Sequence, residues 1–401
     1  MTWWREGDSQ ARRALVAASL GWMLDSFDIN LYALVLPSLM VSLAIDSATS
    51  GTIQSLMLIS AAAGGIVFGV LADRYGRTRA LMASVLIYSV FTAACGFAAS
   101  AVQLAVFRIL LGLGMGGEWA SGAALVSESW PERHRNKALA LMQSSWAIGF
   151  ALAAAANWLV QDVFALDWRA VFFVGVLPAL LTFWIRRSVR EPAMWQATRA
   201  STDRPTLSHA LAGPMLPITV ALTFMNACTL FAYWGFNTWV PSFLRASPAS
   251  GGAGFSNATM NGLVIANNVG MWFGYVTFGW ASDAWGRRRT YVGYLLMAAA
   301  LVLVYTSMRN VWALIVLGPL TSFFATGYFS GFGAVTAEFY PSAVRATAQG
   351  LTYNVGRIAS AFAPAVAGSI ARTHGYAAAL SIASAAFVLA ALTWVFIPDK
   401  K

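Results

Sequence analysis

The chain has 401 residues, 58% of them apolar and only 10% charged, with 26 Lys+Arg against 16 Asp+Glu and a formal net charge of +10. A soluble domain carries about 25% charged residues, and one membrane-spanning helix needs ~20 mainly apolar ones, so a large soluble domain is excluded and roughly a dozen spans are affordable. A transmembrane barrel is excluded too, because the apolar runs are long and continuous instead of alternating in segments of ~10 residues.

Twelve helices are predicted, near residues 14–41, 52–72, 80–99, 102–126, 138–160, 169–185, 214–241, 262–282, 290–307, 311–336, 347–370 and 376–397. The first carries Asp25, Asp28 and Tyr32, and no small-residue cleavage pattern follows it, so it reads as a retained helix and not a signal peptide. At ~100° per residue Asp25 lies about 60° from Asp28, with Tyr32 about 40° on its other side, so all three can face the bundle interior. A buried charge in lipid is costly and marks function. A carboxylate in such a setting can bind a proton from one side and release it to the other. The alternative is a structural pair, each aspartate bonded permanently to a hydroxyl or an arginine.

Span 2 ends in Gly69-Val-Leu-Ala-Asp73-Arg74-Tyr-Gly76-Arg77-Thr-Arg79. Span 4 holds Arg108, which stays protonated when buried and can bind a carboxylate or keep an internal one ionised. Glu118 is ten residues on, about 15 Å along the axis and roughly 80° around it. It therefore does not share a face with Arg108, for which a span 1 carboxylate is the better partner. Glu118 is a second candidate protonation site, or a structural hydrogen-bonding group, and the intervening glycines suit close helix packing. Glu128, Pro131 and Arg135 follow at the end of the span, and Gln143 and Trp146 lie in span 5.

The one long polar interruption, 186–213, divides the chain into six plus six: an N-terminal bundle 1–185, a linker and a C-terminal bundle 214–401. Span 7 then offers Asn226, Tyr233, Trp234, Asn237 and Trp239. Span 8 ends in Gly279-Trp-Ala-Ser-Asp283-Ala-Trp-Gly286-Arg287-Arg-Arg289, and Glu338, Pro341 and Arg345 follow span 10. Arg357 is the lone charge of span 11, with Tyr353 and Asn354 one turn before it. Arginines in spans 4 and 11 could meet a central anion, or both could serve internal salt bridges. Trp3, Trp4, Trp168 and Trp312 read as members of the interfacial aromatic belt.

Two internal matches share one displacement of 210 residues. Gly69, Asp73, Gly76 and Arg77 recur as Gly279, Asp283, Gly286 and Arg287, and Glu128, Pro131 and Arg135 as Glu338, Pro341 and Arg345. The halves are therefore structural repeats, an arrangement that places substrate near mid-membrane. The repeated glycines, aspartates and arginines suit a cytoplasmic latch between bundles, the alternative being that the arginines only anchor the inner face. With the N-terminus inside, the inner connections and termini hold 20 of the 26 basic residues, the outer connections four and the spans two (Arg108 and Arg357). That bias places both termini in the cytoplasm, and it explains the net charge without nucleic acid.

Gly-x3-Asp-Arg-x-Gly-Arg, its repeat copy and the 6+6 layout resemble the major facilitator superfamily across essentially the whole chain. The resemblance implies an all-α membrane protein of twelve transmembrane helices in two six-helix bundles related by pseudo-two-fold symmetry. Within that family, LDSFDINLY in span 1, RILLGLGMGGEW in span 4 and YNVGR in span 11 are similar to stretches of proton-coupled metabolite and organic-acid symporters, including sialate, aromatic-acid and monocarboxylate carriers. Asp25 stands where several such carriers have glutamate. Span 5 has one glycine and no proline, unlike the Gly/Pro-rich signature of the drug–proton antiporters.

The function expected is import of a small organic anion by proton symport through alternating access. The carrier would be a monomer in the inner membrane, without cofactor or metal and powered by the proton gradient. Importing a neutral or zwitterionic metabolite is the alternative, and a non-transporting receptor on the same fold a third. Cys95 and Cys228 lie in apolar spans, and His134, His209 and His374 are dispersed, so no disulfide framework or metal site is expected. Lys137, Lys400 and Lys401 are the only lysines and none follows a glycine, so there is no phosphate-cradling G-K-[ST] loop. No G-x-S-x-G, no His/Asp/Ser grouping and no metal spacing suggests an enzyme.

Overall fold

The computed structural model describes residues 4, 6–177, 179, 180, 184, 185, 215–340 and 345–398, and no strand occurs among them. The helices are α1 Ser9–Ser42, α2 Ser47–Tyr75, α3 Arg77–Cys95, α4 Ala101–Ser129, α5 Glu132–Trp158, α6 Trp168–Val174, α7 Leu216–Arg245, α8 Asn257–Trp285, α9 Arg287–Ser307, α10 Val311–Gly327, α11 Phe332–Phe339, α12 Arg345–Ser360, α13 Ala363–His374 and α14 Tyr376–Leu392. Nine helices among the described residues are long and apolar enough to cross a membrane. The difference from the twelve expected spans has local causes. Helix α8 is long, but Asn257, Asn261, Asn267, Asn268 and Asp283 dilute its apolar character. Span 11 is two helices, because the chain breaks after Ser360 and restarts before Pro364. Span 6 is described as the seven residues of α6 and a few beyond, the predicted stretch running into residues outside the description.

Helix starts follow their capping residues. Asp8, Ser100, Asp167, Ser256 and Asn310 each accept a hydrogen bond from a first-turn backbone N–H of α1, α4, α6, α8 and α10, satisfying donors that have no partner within the helix. Two starts are made differently. Helices α3 and α9 begin at Gly76 and Gly286, with φ of 117° and 85°. Only glycine adopts such angles without strain, which explains why glycine recurs at these matched positions. Close approach does not explain Gly69 or Gly279, since a Cβ on either would meet nothing within 4 Å among the described residues.

The chain forms two compact units, Met1–Ile45 with Leu56–Thr202, and Asp46–Ser55 with Asp203–Lys401. The expected linker 186–213 lies outside the described residues. In the first unit α4 lies directly on α2: a Cβ on Gly116 would be 1.9 Å from the Ala61 carbonyl oxygen. Helix α1 meets α5 as closely, at Gly149 and the Met23 carbonyl. Without a hydrophobic force between helices in lipid, such small-residue contacts supply the packing.

The second unit has a buried aromatic interior. Tyr291 stacks near Phe278, Tyr328 and Trp394 and donates a 2.7 Å hydrogen bond to the Tyr328 carbonyl. Asp46–Ser55 is held in this unit by three polar contacts: Ser47 Oγ to the Gly368 carbonyl, the Ala365 N–H to Ser55 Oγ, and Arg372 to Asp46.

One belt expectation is corrected. Trp168 is 1% exposed, with its ring edge-on to Phe172 and the Arg169 guanidinium 4.3 Å above it, so it is a packing residue. Trp312, at 74% exposure, does face outward. Trp4 packs against Trp130, and Trp3 lies outside the described residues.

Candidate functional site

Asp25, Asp28, Arg108 and Glu118 are all fully buried in the first unit, and the structure sorts them into two linked groups. In one, Asp28 Oδ2 accepts a 3.1 Å hydrogen bond from the Thr92 hydroxyl of α3, while Asp25 and Arg108 are the charged groups acting on it. Its Oδ1 faces Gly175, where a Cβ would come within 2.9 Å. The Arg108 guanidinium lies 4.4 Å above the Tyr32 ring. A desolvated cation over an aromatic face is worth ~2 kcal/mol. Cys95 borders the same group, acting electrostatically with Arg108 and Asp28.

The other group centres on Glu118. The charged neighbour of Glu118 is Asp25. The Glu118 carboxyl lies over Gly21 of α1, where a Cβ would be 2.4 Å from Oε1. Neither Glu118 oxygen has a hydrogen-bond partner among the described residues. Helices α1 and α4 thus run so that Gly21 opposes Glu118 at one level and the Arg108 guanidinium lies over the Tyr32 ring at another. Trp146 frames the group from α5, its ring 4.5 Å from Trp22 and its carbonyl bonded to Ser26 Oγ. Gln143 is half-buried on the same helix.

Sequence reasoning missed two residues here, Tyr88 and Thr92. A signal was present: hydroxyls at Ser84, Tyr88 and Thr92 recur every fourth residue on one face of an otherwise apolar span. Ser84 donates to the Gly114 carbonyl and Thr92 to both Asp28 and the Tyr88 carbonyl.

In the second unit Arg357 is buried, with Tyr353 within electrostatic range and no ion pair among the described residues. Tyr353 packs edge-on to Phe332. Tyr233 sits edge-on to both Trp234 and Phe329. Asn237 and Asn354 donate to carbonyls one turn back, Tyr233 and Gly350, which orients their amide oxygens away from their own helices. Asn226 is fully buried with neither end of its amide hydrogen-bonded among the described residues, and packs where Gly356 leaves room. Trp239 spends its N–H on the Pro364 carbonyl and is a packing residue.

Of the proposed latch, Arg77 and Glu128 meet at 2.9 Å, half-shielded, joining the start of α3 to the end of α4. Arg74 is exposed over Tyr75, Arg135 is half-buried, Asp283 is exposed and Arg287 is half-buried. The side chains of Asp73, Glu338 and Arg345 lie outside the described residues. Outside the spans, Asp46 caps α2. The Thr49 hydroxyl and its backbone N–H, then Arg372, hold its carboxylate below the ordinary 3.8.

The model for the Major Facilitator Superfamily matches residues 18–266 and 248–401. The chain is 32% identical to a probable 4-methylmuconolactone transporter of Cupriavidus pinatubonensis, covering 100% of this chain and 93% of that protein. It is 30% identical to a sialic acid transporter of Escherichia coli, over 99% and 97%, and 28% identical to a cis,cis-muconate transport protein of Acinetobacter baylyi, over 99% and 97%. Among solved structures, a D-xylose-proton symporter superposes with a TM-score of 0.77 at 19% identity, over 96% of this chain and 97% of that one, a likeness of fold.

Proposed function

This chain belongs to the major facilitator superfamily, an integral membrane transporter and not an enzyme, and from that premise we propose that it imports a small organic acid together with protons by alternating access. The observation that supports the reading is the burial of three carboxyl groups, Asp25, Asp28 and Glu118, out of water in one unit with Arg108. Carboxyl groups gathered out of water suit a proton site, because binding a proton relieves both the desolvation and the repulsion of like charges. Asp28 differs in accepting a hydrogen bond from Thr92.

Arg108 is engaged with the Tyr32 ring, so Arg357 is the better candidate for the solute carboxylate, with Tyr353 and the Tyr233–Trp234 pair offering ring faces. Relatives named for sialic acid and muconate support an organic acid as cargo. The basic residues on one set of connections support an inner-membrane carrier with both termini in the cytoplasm. The chain would need no cofactor and would work as a monomer. Coupling requires that proton and substrate together favour the states that reorient.

In proteoliposomes, an inward acid gradient is expected to drive uptake of a carboxylate, and Asp28→Asn to abolish accumulation. Undiminished concentrative uptake by that variant removes Asp28 from coupling, and a wild type indifferent to the gradient removes proton symport. Arg357→Gln separates acid from neutral cargo: a raised KM is expected for the acid, whereas loss of protein without a change in KM assigns the arginine a structural role.

A further inference from the structure

The turn between α8 and α9 carries more than the repeated motif requires. At the displacement of 210 residues, Trp280 stands where the first unit has Val70, Trp285 where it has Tyr75, and Arg288 where it has the buried Thr78. Trp280 and Trp285 are 72% and 66% exposed. Arg287, Arg288 and Arg289 open α9, whose first turn holds no acid. Cations at that end oppose the helix dipole, which attracts anions there, so they do not serve the helix itself. In the matched turn Glu128 brings a carboxylate to Arg77 at 2.9 Å, and Arg74 lies over the Tyr75 ring. From Trp280 to Thr290, Asp283 is the one acid against three arginines, which leaves the segment basic.

The turn also sets an arginine level with a tryptophan. The Thr290 hydroxyl lies 3.1 Å from the Ala281 carbonyl and 2.9 Å from that of Gly286, and donates to them. This fixes the start of α9 against the last turn of α8, and so brings together Arg289 and Trp280, the residues just before Thr290 and Ala281. An exposed stripe runs away from each. On α8 it is Trp280, Val276, Phe273 and Val269, and on α9 Arg289, Gly293, Leu296 and Leu303, spacings that keep each set on one helix face. Gly279 and Gly293 leave room beside the polar ends, since a Cβ on either would meet nothing within 4 Å among the described residues. Arg289 to Leu303 is about 21 Å along the axis, more than the ~15 Å of hydrocarbon in one leaflet.

From this arrangement we infer that the α8–α9 turn is a binding site for one anionic phospholipid. Its phosphate lies on Arg288 and Arg289, whose planar forks match phosphate oxygens. Trp280 and Trp285 sit at headgroup depth, where indole rings are favoured, and the acyl chains follow the two exposed stripes. The positive charge selects an anionic headgroup over a zwitterionic one.

Native mass spectrometry of the purified carrier in neutral detergent tests the site, with phosphatidylglycerol and phosphatidylcholine of the same chains as probes. The wild type is expected to retain one phosphatidylglycerol in preference to phosphatidylcholine. Arg288→Gln with Arg289→Gln should weaken that retention ~30-fold, each basic residue contributing ~5-fold, while the repeat-matched Arg79→Gln changes it less than ~2-fold. Equal retention of the two lipids overturns the site, as does unchanged retention by the double variant. An equal loss in Arg79→Gln also overturns it, being the mark of a generally basic face. Release of the lipid by millimolar inorganic phosphate would assign the arginines to a free anion, and a dimer in the spectrum lost with Trp280→Leu would assign the face to a second copy; either overturns the inference. If the double variant fails to fold, Arg289→Gln alone is expected to show the ~5-fold loss, and its absence counts against the site. The readout involves neither cargo nor proton gradient, so it stands apart from the success or failure of symport.

Discussion

Gly21→Ala tests the candidate proton site without altering any ionisable group. The added Cβ would lie 2.4 Å from Glu118 Oε1 and 3.3 Å from its Cδ, whereas ordinary contact begins at 3.4 Å. The carboxyl must therefore retreat by about 1 Å, and it can, since it is the end of a flexible side chain and not backbone. Overpacking of this kind costs ~1–3 kcal/mol, which leaves the protein folded. A displacement of ~1 Å within a reacting group can nevertheless cost ~100-fold in rate. Gradient-driven uptake is expected to fall 10- to 100-fold, with the midpoint of thermal unfolding lowered only modestly. Gly116→Ala is the comparison. Its Cβ would fall 1.9 Å from the Ala61 carbonyl oxygen and 2.4 Å from the Gly65 nitrogen. Both are backbone, so α2 and α4 must part, and the expected loss is of folded protein. Folded Gly21→Ala carrier with full concentrative uptake would refute the placement of Glu118 in the coupling site.

Other substitutions probe other parts of the molecule. Arg108→Lys keeps the charge but loses the planar guanidinium over Tyr32; initial-rate assays should show gradient-driven uptake reduced by an order of magnitude or more, and wild-type rates would show that a point charge beside Asp28 suffices. Glu128→Gln breaks the half-shielded pair with Arg77 and should cost about 1–2 kcal/mol, between exposed and buried pairs, read as a lower thermal midpoint in detergent. Asp46 is held below its ordinary 3.8 by Thr49 and then Arg372, so its contribution to stability is complete above that value and is lost as pH falls through the lower folded one. Asp46→Asn should therefore narrow the stability difference between neutral and strongly acid pH in thermal scans, and an unchanged difference would show the cap to be without energetic effect.

Much of this protein was readable before any coordinates. Long apolar runs can satisfy their backbone only as helices in lipid, so the class followed from composition. The cost of a buried charge singled out Asp25, Asp28, Arg108, Glu118 and Arg357, and all five are buried. The helical angle between Arg108 and Glu118 correctly kept them apart, because two residues on one helix have a fixed geometry.

What periodicity cannot supply is the neighbour on another helix. That Asp28 bonds Thr92 while Glu118 lies over Gly21 depends on how α1, α3 and α4 are stacked, as does the burial of Tyr88 one turn from Thr92. Trp168 looked like a belt residue because its position near a span end is local information, whereas its burial against Phe172 and Arg169 is not. The repeated Gly76 and Gly286 were visible as a motif, but their backbone angles, and not helix packing, turned out to require them. Sequence alone determines which side chains are too costly to leave in lipid; only the packed bundle decides which of them compensate one another, because that energy is set by distances between segments that the chain order leaves free.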